Sequence, residues 1–300
     1  MYILPLTVSM TATLLIGVLR KYLVDRYENG ERARHLLNAV TSLVAAIGLL
    51  FVGGIPHASL FTVLLALGFG LVTALQQIFT MQALEHGPYS YTTVICSLST
   101  MIPALSGALF FEEKLGWSHI VGMLLMVGCF VLSVNFSGEG KKASLLWLIY
   151  CAVAFLATGL IGVMQKWHQS TDYKDELDAF LIIAFAFSCL YSVAAYATSL
   201  LKSGKGQQKS TAAPSLVHIV PMLLMVLIGA CTATNNKLNL FLSGVMESAV
   251  FFLLVNGGNL ILTALAAFIL FRERPTAKQW VGLFIGTLAV IFLCNPFGNT

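Results

Sequence analysis

The chain has 300 residues, of which 58% are hydrophobic and 10% are charged, and its mean hydropathy is +0.85. A water-soluble domain needs more polar surface than this composition supplies, so the sequence predicts an integral membrane protein. The formal net charge of +4 is small, and the basic residues are dispersed along the chain, which excludes a nucleic-acid-binding patch.

Apolar stretches of about 20 residues, long enough to cross a bilayer as an α-helix, recur between short polar connections. Strand-like alternation is absent, and only helices or closed barrels satisfy the backbone within lipid. We therefore predict an all-α integral membrane protein with ten transmembrane helices. Their predicted ranges are 2–19, 36–55, 59–84, 89–110, 117–135, 145–165, 178–201, 215–240, 246–270 and 277–295.

The sequence contains one unit twice. The segment from Phe111 to Gly122 returns 160 positions later as the segment from Phe271 to Gly282. A second match joins residues 12–21 to residues 157–166 at an offset of 145, so the second copy carries a 15-residue insertion. We predict a five-helix repeat in residues 1–138 and another in residues 139–300.

Loop charge predicts the orientation of the helices. Thirteen of the 17 Lys and Arg residues follow helices 1, 5, 7 and 9, whereas four lie on the other side. The positive-inside rule then places both termini outside. Because each repeat has five helices, the second enters the membrane in the opposite sense, and the two form an inverted repeat.

Both copies contain short motifs in the same order. In the first copy they are Ala83-Leu-Glu-His-Gly-Pro88 and Phe110-Phe-Glu-Glu-Lys114. In the second they are Asn239-Leu-Phe-Leu-Ser-Gly244, Asn256-Gly-Gly258 and Phe271-Arg-Glu-Arg274. Together these motifs resemble the EamA-type unit of the drug/metabolite transporter superfamily. The resemblance implies a ten-helix transporter whose third, fourth, eighth and ninth helices line a central cavity. Members of this family are generally drawn with cytoplasmic termini, in contrast to the loop charges of this chain.

Polar residues deep in apolar stretches are the candidates for a substrate site, since an inverted-repeat transporter binds its solute near the membrane midplane. The repeat register matches such residues in pairs: helix 3 with helix 8, and helix 4 with helix 9. The predicted substrate-binding residues are Gln76, Gln77, Ser99, Asn236, Lys237, Asn256 and Asn259.

Lys237 is the leading candidate, because an ammonium group in hydrocarbon costs about 2.5–3.5 kcal/mol and requires water, a partner or a substrate. The alternative is that helix 8 ends early and Lys237 reaches the interface. Asn256 and Asn259 are three residues apart and share a helix face. They either bind substrate or bond a neighbouring helix.

Other charged residues are expected to have structural or interfacial roles. Gln165 and Lys166 are interpreted as an interfacial anchor, and Glu113 with Glu273 as markers of tight turns. Residues 172–178 are expected to form a solvated acidic loop. The acids at helix ends, Glu85 and Glu247, remain candidates for ion coupling.

The sequence shows no catalytic or nucleotide-binding motif, and its six cysteines show no disulfide or metal-site spacing, so neither an enzyme nor a cofactor is expected. We predict a secondary transporter for a small polar or amphipathic metabolite. Its expected partners are a small-molecule substrate and the lipid bilayer, in a multi-pass cell membrane protein of the bacterial inner-membrane type. The alternative is a non-transporting receptor or assembly protein on the same scaffold.

Overall fold

The structure is a computed structural model that describes residues 2–27, 31–54, 57–86, 92, 95–96, 98–133, 144–203, 219–270 and 276–293. These residues form α-helices joined by short connections, and no strand occurs among them. The helices are α1 (Ile3–Tyr27), α2 (Glu31–Gly53), α3 (Leu60–His86), α4 (Met101–Phe110), α5 (Trp117–Ser133), α6 (Leu145–Gln169), α7 (Leu177–Ser203), α8 (Ile219–Val245), α9 (Ser248–Leu270) and α10 (Ala277–Leu293). A short 3-10 turn, Lys174–Glu176, precedes α7.

Each of the ten helices in the described part of the chain falls at one of the ten predicted stretches, although several ends differ and only residues 101–110 of the predicted helix 89–110 belong to α4. Helix α8 ends at Val245 instead of residue 240, because its polar residues bond their own helix or a neighbour and do not interrupt the backbone ladder. Helix α2 ends at Gly53, where Gly54 takes a positive φ of 71° and donates its N–H to Leu50 O. Glycine favours this left-handed C-terminal cap because it has no Cβ.

Five helical segments of the described chain are long and apolar enough to cross a membrane: His35–Gly53, Leu60–Thr80, Leu145–Gln169, Lys174–Leu200 and Ile219–Val245. Five apolar helical segments are shorter: Ile3–Leu19, Met101–Phe110, Trp117–Leu132, Ser248–Asn259 and Trp280–Leu293. These lengths support a helical membrane protein. The inverted repeat stays a prediction, and its boundary at residues 138 and 139 lies outside the described residues.

The chain forms two compact units. Unit 1 contains residues 1–71 and 173–239, and unit 2 contains residues 72–172 and 240–300. Each unit therefore combines an earlier and a later segment of the sequence.

Within unit 1, α2 packs along α7. The contact is partly polar: Asn38 Nδ2 donates to Ser192 Oγ at 2.7 Å, and the Ser42 and Ser188 hydroxyls lie 3.2 Å apart. A buried cluster, which includes Leu23, joins the ends of α1 and α2 to α8. Hydroxyl and amide pairs of this kind join helices where no water is present to bond them.

Within unit 2, α5 packs along α10, and α9 packs on α4. Their core contains the fully buried side chains of Met126, Leu253 and Leu293. Helix α4 lies close to α6, since a Cβ at Gly162 would lie 2.7 Å from Pro103. Small residues thus bring the helix backbones of this unit together.

Candidate functional site

Lys237 forms an ion pair with Asp178 inside unit 1. Its Nζ donates to Oδ2 at 2.9 Å and lies 2.7 Å from Oδ1. Helix α8 continues eight residues beyond Lys237, to Val245, so the helix does not end early at this lysine. The ammonium instead finds the partner that a charge among apolar helices requires.

Asp178 belongs to α7 and not to a solvated loop, which corrects the expectation for residues 172–178 at this position. It lies in the first turn of α7, where the positive end of the helix dipole stabilises a carboxylate. The end of α2 packs against it, since a Cβ at Gly53 would lie 2.7 Å from Asp178 Oδ2. The preceding acid, Glu176, accepts from Ser59 N at 2.9 Å and Ser59 Oγ at 2.7 Å.

The charged pair is only partly shielded. The side chain of Lys237 is 35% exposed and that of Asp178 is 24% exposed. Exposed surface on charged groups of a membrane protein has to meet water, because charge facing lipid is costly. We therefore expect water to reach the pair.

The other polar residues of α8 point in different directions, as their spacing around the helix predicts. Asn235 and Asn239 face α1: Ser9 Oγ donates to Asn235 Oδ1 at 2.9 Å, and the Asn239 Oδ1 lies 2.5 Å from the same hydroxyl. Thr13 Oγ1 also donates to Asn235 Oδ1, at 3.0 Å. These residues join two helices. Asn236 donates from Nδ2 to the Thr232 carbonyl of its own helix at 2.9 Å.

In unit 2, the candidates from α3 and the segment before α4 make local bonds. Gln76 Nε2 donates to Thr80 Oγ1 at 3.2 Å, and the buried Ser99 donates to Cys96 O at 2.6 Å. Gln77 is half-buried. None of these contacts assigns a ligand.

The two asparagines of α9 differ in environment. Asn256 is exposed and donates from Nδ2 to Phe252 O at 2.7 Å, a bond within its own helix. Asn259 is half-buried, and no donor among the described residues reaches its buried Oδ1. Neither amide side chain forms a hydrogen bond to another described helix.

The structure therefore places Asn236 and Lys237 in unit 1 and the other five predicted residues in unit 2. Their role in substrate binding stays a prediction. Asp178, the partner of Lys237, is not among the predicted substrate-binding residues. It lies 59 positions from Lys237 in the sequence and begins a helix after a run of polar residues, so the sequence does not signal the contact.

Unit 2 contains a second ion pair that the sequence did not reveal. Lys166 Nζ lies 2.5 Å from Glu113 Oε1 and donates to Met246 O at 3.1 Å. Glu113 also accepts from Ser248 N at 2.7 Å and Ser248 Oγ at 3.2 Å, which caps the first turn of α9. The expectation that Lys166 is an interfacial anchor is wrong, because its side chain is only 9% exposed.

Of the acids proposed for ion coupling, Glu247 is exposed, and its Oε2 lies 3.7 Å from Nε2 of the buried His119. The Glu85 side chain and Glu273 lie outside what the structure describes. Among the described residues, no group of three or more His, Cys, Asp or Glu residues could hold a metal ion.

Comparison with known proteins identifies the first part of the chain. The profile of the EamA-like transporter family matches residues 6–135. The match confirms the resemblance to the drug/metabolite transporter superfamily, and the EamA-like segment spans α1 to α5.

A likeness to a solved structure covers nearly the whole chain. The crystal structure of another protein has a similar fold. The superposition covers 97% of this chain and 98% of the other chain, with a TM-score of 0.68 and 15% sequence identity. This likeness concerns the fold alone. No curated protein sequence matches the chain.

Proposed function

We propose that the chain is a secondary transporter that moves a small polar or amphipathic metabolite across the cell membrane by alternating access of two inverted repeats. The EamA-like match over residues 6–135 is the observation that carries this proposal. The ten apolar helices support it, since they provide the scaffold of such a transporter. The family is generally non-enzymatic, and the proposal includes no catalytic step.

Lys237 is the residue proposed to select the substrate. A lysine presents three donors and a full positive charge, and 35% of this side chain is exposed. The site therefore favours an anionic or zwitterionic solute over a bare cation. Asn236, the adjacent amide on α8, is the proposed neutral contact in the same unit.

We also propose Gln76, Gln77, Ser99, Asn256 and Asn259, all of which belong to unit 2, as substrate-binding residues. Support is strongest for Asn259, whose buried Oδ1 has no donor among the described residues. A buried carbonyl oxygen that lacks a donor is costly, so a bound N–H or O–H group would remove that cost.

The first test is a thermal-shift screen of the detergent-purified chain against nucleosides, sugars, vitamins, organic acids, amino acids and cationic drugs. A ligand raises the melting temperature of the state to which it binds. We expect an anionic or zwitterionic hit that is lost in Lys237→Ala and kept in Lys174→Ala, an exposed lysine of the turn before α7. A hit that survives Lys237→Ala contradicts the role of Lys237.

The second test separates transport from binding alone. The compound found in the screen is loaded into sealed liposomes that contain the full chain, and its movement across the bilayer is followed. We expect flux that depends on the protein and is lost in Lys237→Ala. Binding without flux would instead identify a receptor on the same scaffold.

A further inference from the structure

We infer that the Asp178–Lys237 pair couples anion binding to proton binding. A solute anion binds the ammonium group of Lys237, and the carboxylate of Asp178 takes up one proton. The inference rests on the transport function proposed above and adds a coupling ion to it. The motivating feature is an ion pair in which each charge depends on the other.

The carboxylate of Asp178 depends on Lys237 for its bonds. Among the described residues, Lys237 is the only hydrogen-bond or ion-pair partner of this carboxylate. On another side the carboxylate meets the backbone at Gly53, where even a Cβ would not fit. Among the described residues, no second polar side chain therefore bonds Asp178 when Lys237 moves away.

Glu113 in unit 2 provides the contrast. Its carboxylate also accepts two hydrogen bonds from Ser248, one from the backbone N–H and one from the hydroxyl. Both side chains of its pair with Lys166 are more shielded than those of the Asp178–Lys237 pair. A solute can therefore exchange with the unit 1 pair more readily than with the unit 2 pair.

The net charge of the site explains why a proton accompanies the anion. In the empty site one ammonium and one carboxylate cancel. When a monoanion binds Lys237, Asp178 loses its full counter-ion and keeps only the partial positive charge of the α7 N-terminus. A charge that is only partly compensated in a partly buried site is costly. A proton from water removes that cost by converting the carboxylate to the neutral acid. The loaded site then holds the anion, the ammonium and a neutral Asp178, and its net charge is again zero.

The other titratable and charged groups around Asp178 do not supply an alternative counter-ion. Glu176 is bound to Ser59, and Lys174, Asp175 and His57 are exposed. Within unit 1, α3 contributes no charged residue, and Lys237 is the only one on its part of α8. On α2, the described side chain of Arg32 donates to Ser199 O, near the opposite end of α7 from Asp178.

Benzoate, benzamide and 3-(aminomethyl)benzoate provide matched anionic, neutral and zwitterionic probes. Calorimetry of the full chain in detergent, in two buffers of different ionisation enthalpy, counts the protons taken up per bound probe. We expect benzoate to bind with uptake of about one proton, so that its affinity rises by up to about tenfold per unit fall in pH. Benzamide should bind without proton uptake or not at all.

Three variants test which residue binds the anion and which takes up the proton. In Asp178→Asn, Lys237 carries a charge that nothing neutralises, so benzoate should bind more tightly and without proton uptake. Lys237→Met should abolish benzoate binding. Asp172→Asn, which removes an exposed acid of unit 2, should leave both affinity and proton count unchanged. The pH dependence of the native chain tests the inference even if a variant does not fold.

Absence of benzoate binding, benzoate binding without a proton, or proton uptake that persists in Asp178→Asn would overturn the inference. Zwitterion binding without proton uptake, in place of benzoate binding, would also overturn it, since a solute ammonium would then occupy Asp178. The result is separable from the proposed function. Proton-linked binding without flux in liposomes would contradict transport, whereas anion flux without a proton would contradict only the coupling.

Discussion

Lys166 and Lys237 each meet an acid, but the two pairs differ in what else surrounds the charges. The Lys166 ammonium contacts Glu113 and a backbone carbonyl, and Glu113 caps a helix through Ser248. Lys237 and Asp178 bond chiefly to each other, and their side chains are more exposed than those of Lys166 and Glu113. Breaking a buried pair leaves an uncompensated charge, whereas exposed pairs contribute little to stability. The first pair therefore stabilises the fold, and the second is suited to exchange.

We expect Glu113→Gln and Lys166→Met each to lower the free energy of unfolding by about 3 kcal/mol, because either change leaves one buried charge without its partner. The measurement is equilibrium unfolding in detergent, with the double variant completing the cycle. The double variant should lose less than the sum of the two single losses.

Glu247→Gln is the matched control, since Glu247 is 53% exposed. It should change stability by less than about 1 kcal/mol. Losses that are small for both single variants, or that simply add in the double variant, would mean that the Glu113–Lys166 contact does not stabilise unit 2.

At this scale the sequence could predict that Lys237 needs a partner, because a charge inside an apolar stretch is costly. It could not predict which acid supplies one, since Asp178 reaches it only through tertiary packing. Lys166 gave a misleading signal, because it is close to a helix end in sequence and yet is buried in the fold.

The helices themselves are held together at positions where side chains are small. In unit 2, Gly159 leaves room for Ile102 and Gly162 leaves room for Pro103, which brings α6 against α4. Apolar length predicted a helix at each of the ten described positions, although only five of the described segments are long and apolar enough to cross a membrane. Length alone could not predict which helices pack together, or that α3, α6 and α8 extend beyond their apolar stretches.

Gly162→Ala should destabilise unit 2 by about 1–3 kcal/mol through overpacking. Its Cβ would lie 2.7 Å from both Cβ and Cγ of Pro103, a rigid ring that cannot change rotamer to make room. Gly128→Ala provides the control, because its Cβ would meet its nearest neighbour at 3.8 Å. Thermal unfolding in one detergent compares the two, and equal melting temperatures would contradict the close approach of α4 and α6.

At the scale of the whole molecule, composition predicted a helical membrane protein, and the EamA-like match over residues 6–135 agrees. The repeat in the sequence did not predict the packing, because each compact unit takes residues from both halves of the chain. Sequence duplication records which segments are related, whereas side-chain contacts such as Asn38 with Ser192 decide which segments pack together.

The orientation predicted from loop charge can be measured directly. In a cysteine-free background, we expect Asp175→Cys to react with a membrane-impermeant thiol reagent in intact cells. Gly206→Cys, in the Lys-rich segment after α7, should react only after permeabilisation, because positive loops are retained inside. The reverse pattern would place both termini in the cytoplasm, as generally drawn for the resembled family.

The composition of unit 1 has a consequence for biosynthesis. Residues 1–71 pack with residues 173–239, so α1 and α2 emerge about 100 residues before α7 and α8. At about 5–20 residues per second, translation takes roughly 5–20 s to cover that distance. During this interval Ser9, Asn38 and Ser42 lack the residues with which they later bond. Until the second half of the chain arrives, these polar groups need other partners, such as the carbonyls of their own helices. A chain truncated near residue 170 lacks the segment that completes unit 1.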